Sequence, residues 1–288
     1  MKPILVHLHI YYPHLYDELK NCVLNIKPQQ FDLFVTMVEE HKEIISDIKN
    51  TFPNAKIEIV ENRGYDVGPF IHVLNQVNLD DYDYVVKLHT KSNKPKPCNL
   101  LGFDASGDKW RKELLSFMND WNKTISFIEK RKDIGMVAGA NVILKGHNDK
   151  EIAVKPKIAE LVNALELRQI CKKYKFAAGT MFLARSGLFK TIQHKFTSSD
   201  FEMADKKGNT LAHAFERVFG IICYANGYEI IDADQKWQQC HNINLLKHYF
   251  NQIVRFVYQK KVNHSNCLTV KLLRIPVYRK YLSIGECK

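Results

Sequence analysis

Lys87, His89 and Lys91 alternate along one short run, YDYVVKLHTK. Alternate residues of a strand share a face, so three hydrogen-bond donors would project together where this strand ends. Such a trio suits an anionic ligand better than an apolar core, the plain alternative being a solvated strand edge. Upstream, the stretch NRGYDVGPF holds Gly64 and Gly68 four apart, with Asp66 between them and Arg63 and Asn62 in front. Glycine lets a ligand approach the main chain. A helix start offers unpaired N–H groups that favour a phosphate, and an arginine adds a bidentate charged contact. The chemistry these residue types fit is the holding of a phosphorylated ligand, although Gly-x-x-x-Gly by itself is equally a tight turn.

The elements that must position these groups are legible around them. Ile57 to Val60 is a β-rich run, the apolar positions Phe70, Ile71, Val73, Leu74 and Val77 recur at helical spacing, and Tyr84 to Lys91 begins a further strand. Together they predict a strand–loop–helix–strand unit, and in such units ligands bind beyond the strand ends. Before it, Ile4 to Tyr11 alternates: Ile4, Val6, Leu8 and Ile10 face one way and His7, His9 and Tyr11 the other. With no carboxylate near them in sequence, His7 and His9 suit ligand contact at a strand end, or packing, better than metal binding. A helix over Leu15 to Ile26, a strand over Phe31 to Thr36 and a helix over His41 to Thr51 complete an alternation that predicts an α/β fold with a mostly parallel sheet.

Beyond Lys91 the pattern predicts one long helix or two over Trp110 to Arg131, a strand over Asp133 to Ala138, and a polar surface loop from Asn141 to Lys157. It continues with a helix over Ile158 to Lys173 and one strand from Phe176 to Ala184, whose Gly179 permits close approach. A helix over Thr210 to Gly220 carries His213, Glu216 and Arg217, and Glu229 to Ile231 is a last strand. The expected organisation is one α/β domain over residues 1–235 and a basic amphipathic helical extension over 236–288. In the extension, Leu245 to Val262 has apolar residues at helical spacing, and VKLLRIPVYRKYL is apolar and basic without an acid. Such a tail lies on an acidic membrane surface or docks back on the domain.

Composition limits the partners. Among 288 residues, 42 Lys and Arg face 31 Asp and Glu, a basic excess of 42 − 31 = 11. The excess favours anionic partners without choosing among nucleotide phosphates, acidic lipids and nucleic acid. Seven scattered cysteines with no C-x-x-C pair exclude a visible zinc cluster or disulfide framework and suit free thiols in a reducing cytosol. No signal peptide or membrane-spanning run is expected.

The ordered blocks VHLHIYYP, NRGYDVGPF, YDYVVKLHTK, AAGTMFLAR and HAFERVFG resemble the rhamnan synthesis protein F family over roughly residues 3 to 232. That resemblance implies a glycosyltransferase that assembles rhamnose-containing bacterial surface polysaccharide. The same order is similar to the GT-A nucleotide-sugar fold of the inverting family 2 transferases. Their third-strand N-x-G loop corresponds to Asn62, Gly64 and Asp66. Where they carry a metal-holding Asp-x-Asp, this chain has His89-Thr90-Lys91. The departure implies an enzyme with no cofactor, in which Arg63, Lys87, His89 and Lys91 do the metal's electrostatic work on a leaving diphosphate. Mg or Mn held by Asp66 or Asp83 is the alternative.

The resemblance also implies roles. Glu216 matches the position of the catalytic base, with His213 on the same helical face. Tyr11 and Thr36 are expected at the nucleoside, Asn62, Arg63, Gly64, Asp66 and Gly68 in the donor loop, and Gly179, Thr180 and Met181 on the acceptor side. The implied substrates are a nucleotide-sugar donor such as dTDP-rhamnose and a lipid-linked glycan acceptor, such as an O-antigen precursor, at the cytoplasmic face of the bacterial membrane. Nucleic acid is not expected as a partner. The rival expectations are a basic binding module without chemistry and a degenerate transferase retained as an assembly partner.

Overall fold

The computed structural model describes residues 1–92, 107–139, 142–146, 153–167, 174–204, 209–232, 258–262, 267–272 and 275–281. The first half follows the alternation of apolar runs closely. β1 (Ile4–Ile10), α1 (Tyr16–Leu24), β2 (Phe31–Met37), α2 (Lys42–Thr51), β3 (Lys56–Ile59), α3 (Val67–Leu74) and β4 (Tyr84–His89) succeed one another through short connections. Then come α4 (Gly107–Leu115), α5 (Trp121–Lys130), β5 (Ile134–Ala138), β6 (Ile143–Lys145), α6 (Lys155–Ala164), β7 (Lys175–Ala177), β8 (Phe182–Arg185), α7 (Leu211–Ala225) and β9 (Glu229–Asp232).

The central sheet has seven strands in the order β3-β2-β1-β4-β8-β5-β9. All neighbours are parallel except β8, which runs antiparallel to both β4 and β5. The expected mostly parallel mixed sheet flanked by helices is therefore what the chain forms. Every residue of β1 and β4 is buried, because helices cover both faces of a parallel sheet. The polar face of β1 predicted by alternation is thus an interior face, and His7 and His9 lie inside it. The chain leaves β1 towards β2 and β3 and returns to β1's other side as β4, so the strand order reverses between β1 and β4. Ligands bind beyond the carboxyl ends of the strands at such a reversal.

An aromatic cluster ties together the elements that border this point. Phe70 of α3 packs edge-on against Phe189 (5.2 Å between ring centroids), Phe219 of α7 (5.8 Å) and Phe182 of β8 (6.1 Å). Phe215 of α7 continues it to Phe201 (5.3 Å) and Phe196 (5.0 Å). Each such pair contributes about 0.5–1.5 kcal/mol beyond the area it buries, so α3, β8 and α7 are held as one block.

The run from Trp110 to Arg131 takes the second of its two expected forms, two helices, because a 3-10 turn at Ser116–Met118 intervenes and the Asp120 carboxylate caps α5 by accepting the Lys123 N–H at 3.1 Å. Three expectations are corrected. The Asn141–Lys157 loop contains β6, paired with β7, and its end opens α6, where Pro156 fits the first helical turn. The single strand from Phe176 to Ala184 is two strands, since Gly179 (φ 82°) and Thr180 (φ 54°) turn the chain left-handed between β7 and β8. Finally, the helical extension contains β10 (Tyr258–Val262), β11 (Cys267–Leu272) and β12 (Ile275–Tyr281) in an antiparallel three-stranded sheet. Val, Ile, Thr and Tyr favour strands there, and Pro276 is incompatible with a helix interior. The expected helical stretch 245–257 lies outside the described residues.

Candidate functional site

The loop before α3 is built by its glycines. Gly64 (φ 66°) and Tyr65 (φ 55°) are both left-handed, a backbone that strongly favours glycine at the first position. A Cβ on Gly64 would strike the Phe201 ring at 2.6 Å, and one on Gly68 would meet the Arg63 carbonyl oxygen at 2.1 Å. The loop thus folds back on the start of α3. The N–H groups of Val67 and Gly68 both donate to the Gly64 carbonyl (2.9 and 3.3 Å), and Pro69 has none. The N–H groups of Val67 and Gly68 are thus spent within the loop and not turned to a phosphate. Arg63 is engaged locally, with Nε on Glu61 at 2.6 Å and Nη1 on the Phe201 carbonyl at 3.2 Å. Asn62 pairs through its backbone with Ala204, at 2.9 Å.

What the loop presents to the sheet is Asp66. Its Oδ2 receives hydrogen bonds from the Lys87 ammonium and the Thr180 hydroxyl, and lies 3.5 Å from His89 Nδ1. Lys87 is wholly buried, with Nζ also on the Thr180 carbonyl (3.2 Å) and Oγ1 (3.1 Å) and 5.5 Å from the centre of the Phe70 ring. Burial pushes the Asp66 carboxyl up, but the Lys87 and Lys91 charges beside it, together with the Lys87 hydrogen bond, hold it well below the usual carboxylate range. Burial lowers Lys87, and Asp66 opposes that fall. The two form an ion pair in the interior.

A row of polar side chains lies behind this pair, because the parallel register sets Thr36, His9 and His89 side by side across β2, β1 and β4. His7 aligns with Lys87 one step below. Thr36 Oγ1 meets His7 Nε2 at 2.8 Å and His9 Nδ1 at 2.9 Å. A hydroxyl has one proton, so it donates to one ring and accepts from the other. Burial drives all three imidazoles towards the neutral form, His9 to about 4 and His7 and His89 well below the ordinary value, with the Lys87 charge adding to each. His7 Nδ1, His9 Nε2 and both nitrogens of His89 have no hydrogen-bond partner among the described residues.

The second half of the site is α7. Glu216 Oε1 accepts the Gly179 N–H at 2.6 Å, and Oε2 pairs with Arg217, whose guanidinium lies 4.6 Å from the centre of the Phe176 ring. His213 Nδ1 bonds Thr210 Oγ1 at 2.6 Å, and its ring meets Tyr65 edge-on at 5.7 Å. Burial lowers His213, with Arg217 and Lys91 assisting against Glu216. The turn between β7 and β8 therefore joins the two halves: Gly179 touches Glu216, while Thr180 touches Lys87 and Asp66.

The expected site residues separate into groups. Asp66, Lys87, His89, Gly179, Thr180, His213 and Glu216 come together. Lys91 is partly exposed and has no ion-pair partner among the described residues, yet its charge bears on Asp66, His89 and His213. Tyr11 is 46% exposed just past β1, where the Thr90 hydroxyl accepts the N–H groups of Tyr11 (2.8 Å) and Tyr12 (2.9 Å). Thr36 sits inside, on the histidines, rather than at the surface. Met181 is buried in the apolar core, and Gly64 and Gly68 shape the loop. His7 and His9 were the residues that strand reasoning undervalued. Their signal was the shared face with Lys87 and His89 on an adjacent parallel strand.

Asp66 Oδ2 is taken by an ammonium and a hydroxyl, and Asp83 Oδ2 accepts the Lys2 N–H at 2.7 Å beside the opening of β4, the opposite end from His89. No group of three or more His, Cys, Asp or Glu among the described residues converges to hold a metal.

Comparison with known proteins identifies relatives. The family model described as rhamnan synthesis protein F matches residues 1–228. The uncharacterized protein WxcX from two strains of Xanthomonas campestris pv. campestris is 25% and 26% identical over 237 residues, which cover 79% of this chain and 32% of WxcX. The chain thus spans about a third of the length of the curated relatives it matches. Among solved structures, the crystal structure of S. aureus TarS 1-349 aligns with 88% of this chain and 72% of its own at 11% identity and a TM-score of 0.38, too slight a likeness to bear on function.

Proposed function

The chain belongs to the rhamnan synthesis protein F family, and from that premise we propose that it is an inverting glycosyltransferase on a GT-A-like nucleotide-sugar fold. Its donor is a nucleotide sugar, dTDP-rhamnose by the family's name. Its acceptor is a lipid-linked glycan of a bacterial surface polysaccharide or O-antigen, met at the inner, acidic face of the cytoplasmic membrane. The observation that carries this reading is the joining of Asp66–Lys87 and Glu216 through one turn, beside the reversal of strand order where α/β proteins bind ligands.

The donor lies over the ends of β1 and β4, with Tyr11 offering an exposed ring to the base. Lys91, and not a metal, meets the diphosphate. An acceptor hydroxyl attacks the anomeric carbon from the face opposite the nucleotide. The new C–O bond forms as the bond to the diphosphate oxygen breaks, and that oxygen keeps the electron pair. The hydroxyl proton passes to Glu216, whose oxygens each retain a lone pair beyond their hydrogen bonds to Gly179 and Arg217. His213, held towards neutrality, adds no competing positive charge beside that carboxylate.

The test is transfer from dTDP-rhamnose to a lipid-linked acceptor, with the product anomer read by NMR. The expected product has the anomeric configuration opposite to the donor's, and Glu216→Gln lowers the rate by about 10²–10⁴-fold, the usual worth of a general base. A retained configuration, or an undiminished Gln variant, contradicts the reading.

A further inference from the structure

We propose that Lys87 and Thr180 are positioning residues that hold the Gly179–Thr180 turn against Glu216; the inference rests on Glu216 being the base. An ammonium has three protons. Those of Lys87 meet Asp66 Oδ2, the Thr180 carbonyl and Thr180 Oγ1, in full burial. None is left for a diphosphate, so this lysine acts through geometry and not as a ligand for the leaving group.

The turn needs such a hold. Thr180 is a β-branched residue at φ 54°, a conformation that persists only when its surroundings impose it. Its hydroxyl donates to Asp66 while its carbonyl is fixed by Lys87. The residue before it, Gly179, is left-handed at φ 82°, and a Cβ there would lie 2.6 Å from Leu114. With both residues fixed, the Gly179 N–H points at Glu216 Oε1 at 2.6 Å. Asp66 anchors the far end of the arrangement from the donor loop. Displacing the turn therefore moves the carboxylate that takes the acceptor's proton, and a misplacement of about 1 Å costs roughly 10²-fold in rate.

The experiment is a kinetic cycle on the full chain. Lys87→Met and Thr180→Val each lower kcat by about 10²-fold and leave the donor KM within about twofold, while Thr180→Ser restores most of the rate because the hydroxyl is back. Combined with Glu216→Gln, neither change slows transfer further, since groups that act as a unit are not additive. A Lys87→Met enzyme with a raised donor KM and unaltered kcat places the ammonium on the diphosphate and overturns the proposal. So does full additivity with a Glu216→Gln variant that is itself impaired. An unimpaired Glu216→Gln variant instead removes the base reading, and this inference with it. Should Lys87→Met fail to fold, the Thr180→Val and Thr180→Ser pair carries the same cycle, and a Thr180→Val enzyme of ordinary kcat overturns the proposal.

Discussion

At the scale of single residues, the site is governed by what burial does to charge. His7, His9, His89 and His213 are all held below the ordinary imidazole value of 6.5, His9 at about 4. The unfolded chain takes up protons near 6.5, and the folded chain does so only at lower pH. Stability is therefore complete above 6.5 and is lost as pH falls from there towards 4. His9 alone accounts for roughly 2 kcal/mol at pH 5, and Asp66, held low, adds its own loss only below the carboxylate range. Urea unfolding at pH 7.5 and pH 5 is expected to show a midpoint that drops clearly at the lower pH, and less in a His9→Gln variant. Equal midpoints at the two pH values contradict the buried neutral histidines. The Asp66–Lys87 pair was not legible from sequence. The sequence pattern points Lys87 at an external anion and Asp66 at a donor loop or a metal, and only the folding of the Gly64 loop over β4 shows that they satisfy one another.

At the scale of elements, legibility followed the length of the patterned run. β1, β2, β3, β4 and the helices between them were readable because each apolar period continues unbroken between short polar connections. The break inside Phe176 to Ala184 was not, because every residue there except Thr180 is apolar or glycine, and the left-handed turn is imposed by Lys87 and Asp66 from elsewhere in the chain. The C-terminal strands failed for a related reason: basic and apolar residues at mixed spacing fit either period, and Pro276 was the overlooked signal. Residues 258–281 contain Lys260, Lys261, Lys271, Arg274, Arg279 and Lys280 and no acid, which supports the proposed contact with acidic lipid, each cation contributing about 1 kcal/mol near such a surface. Sedimentation with vesicles is expected to require anionic lipid, to fall as salt rises, and to weaken when Lys260, Lys261, Arg279 and Lys280 become Gln. Equal binding to neutral vesicles contradicts it.

At the scale of the whole molecule, the two halves of the site come from distant parts of the chain and are brought together by sheet order. β8 enters antiparallel beside β4, and that insertion carries the Gly179–Thr180 turn from the second half of the sequence to Asp66 and Lys87 from the first. The Phe70 cluster fixes α7 against the same strands, so Glu216 reaches the turn. Among the described residues no helix is long and apolar enough to cross a membrane, and the relatives extend well beyond this region. The central claim, a donor site that uses the Lys91 cation in place of a metal, is tested most directly by thermal unfolding with a panel of nucleoside diphosphates and nucleotide sugars, each with and without EDTA. A ligand that binds the folded state raises the melting temperature, and concentrations of 100 Kd stabilise by about 2.7 kcal/mol. A shift with a thymidine or other nucleoside diphosphate that persists in EDTA and shrinks in Lys91→Gln is the predicted result. A shift abolished by EDTA contradicts the account, because it returns the diphosphate to a metal.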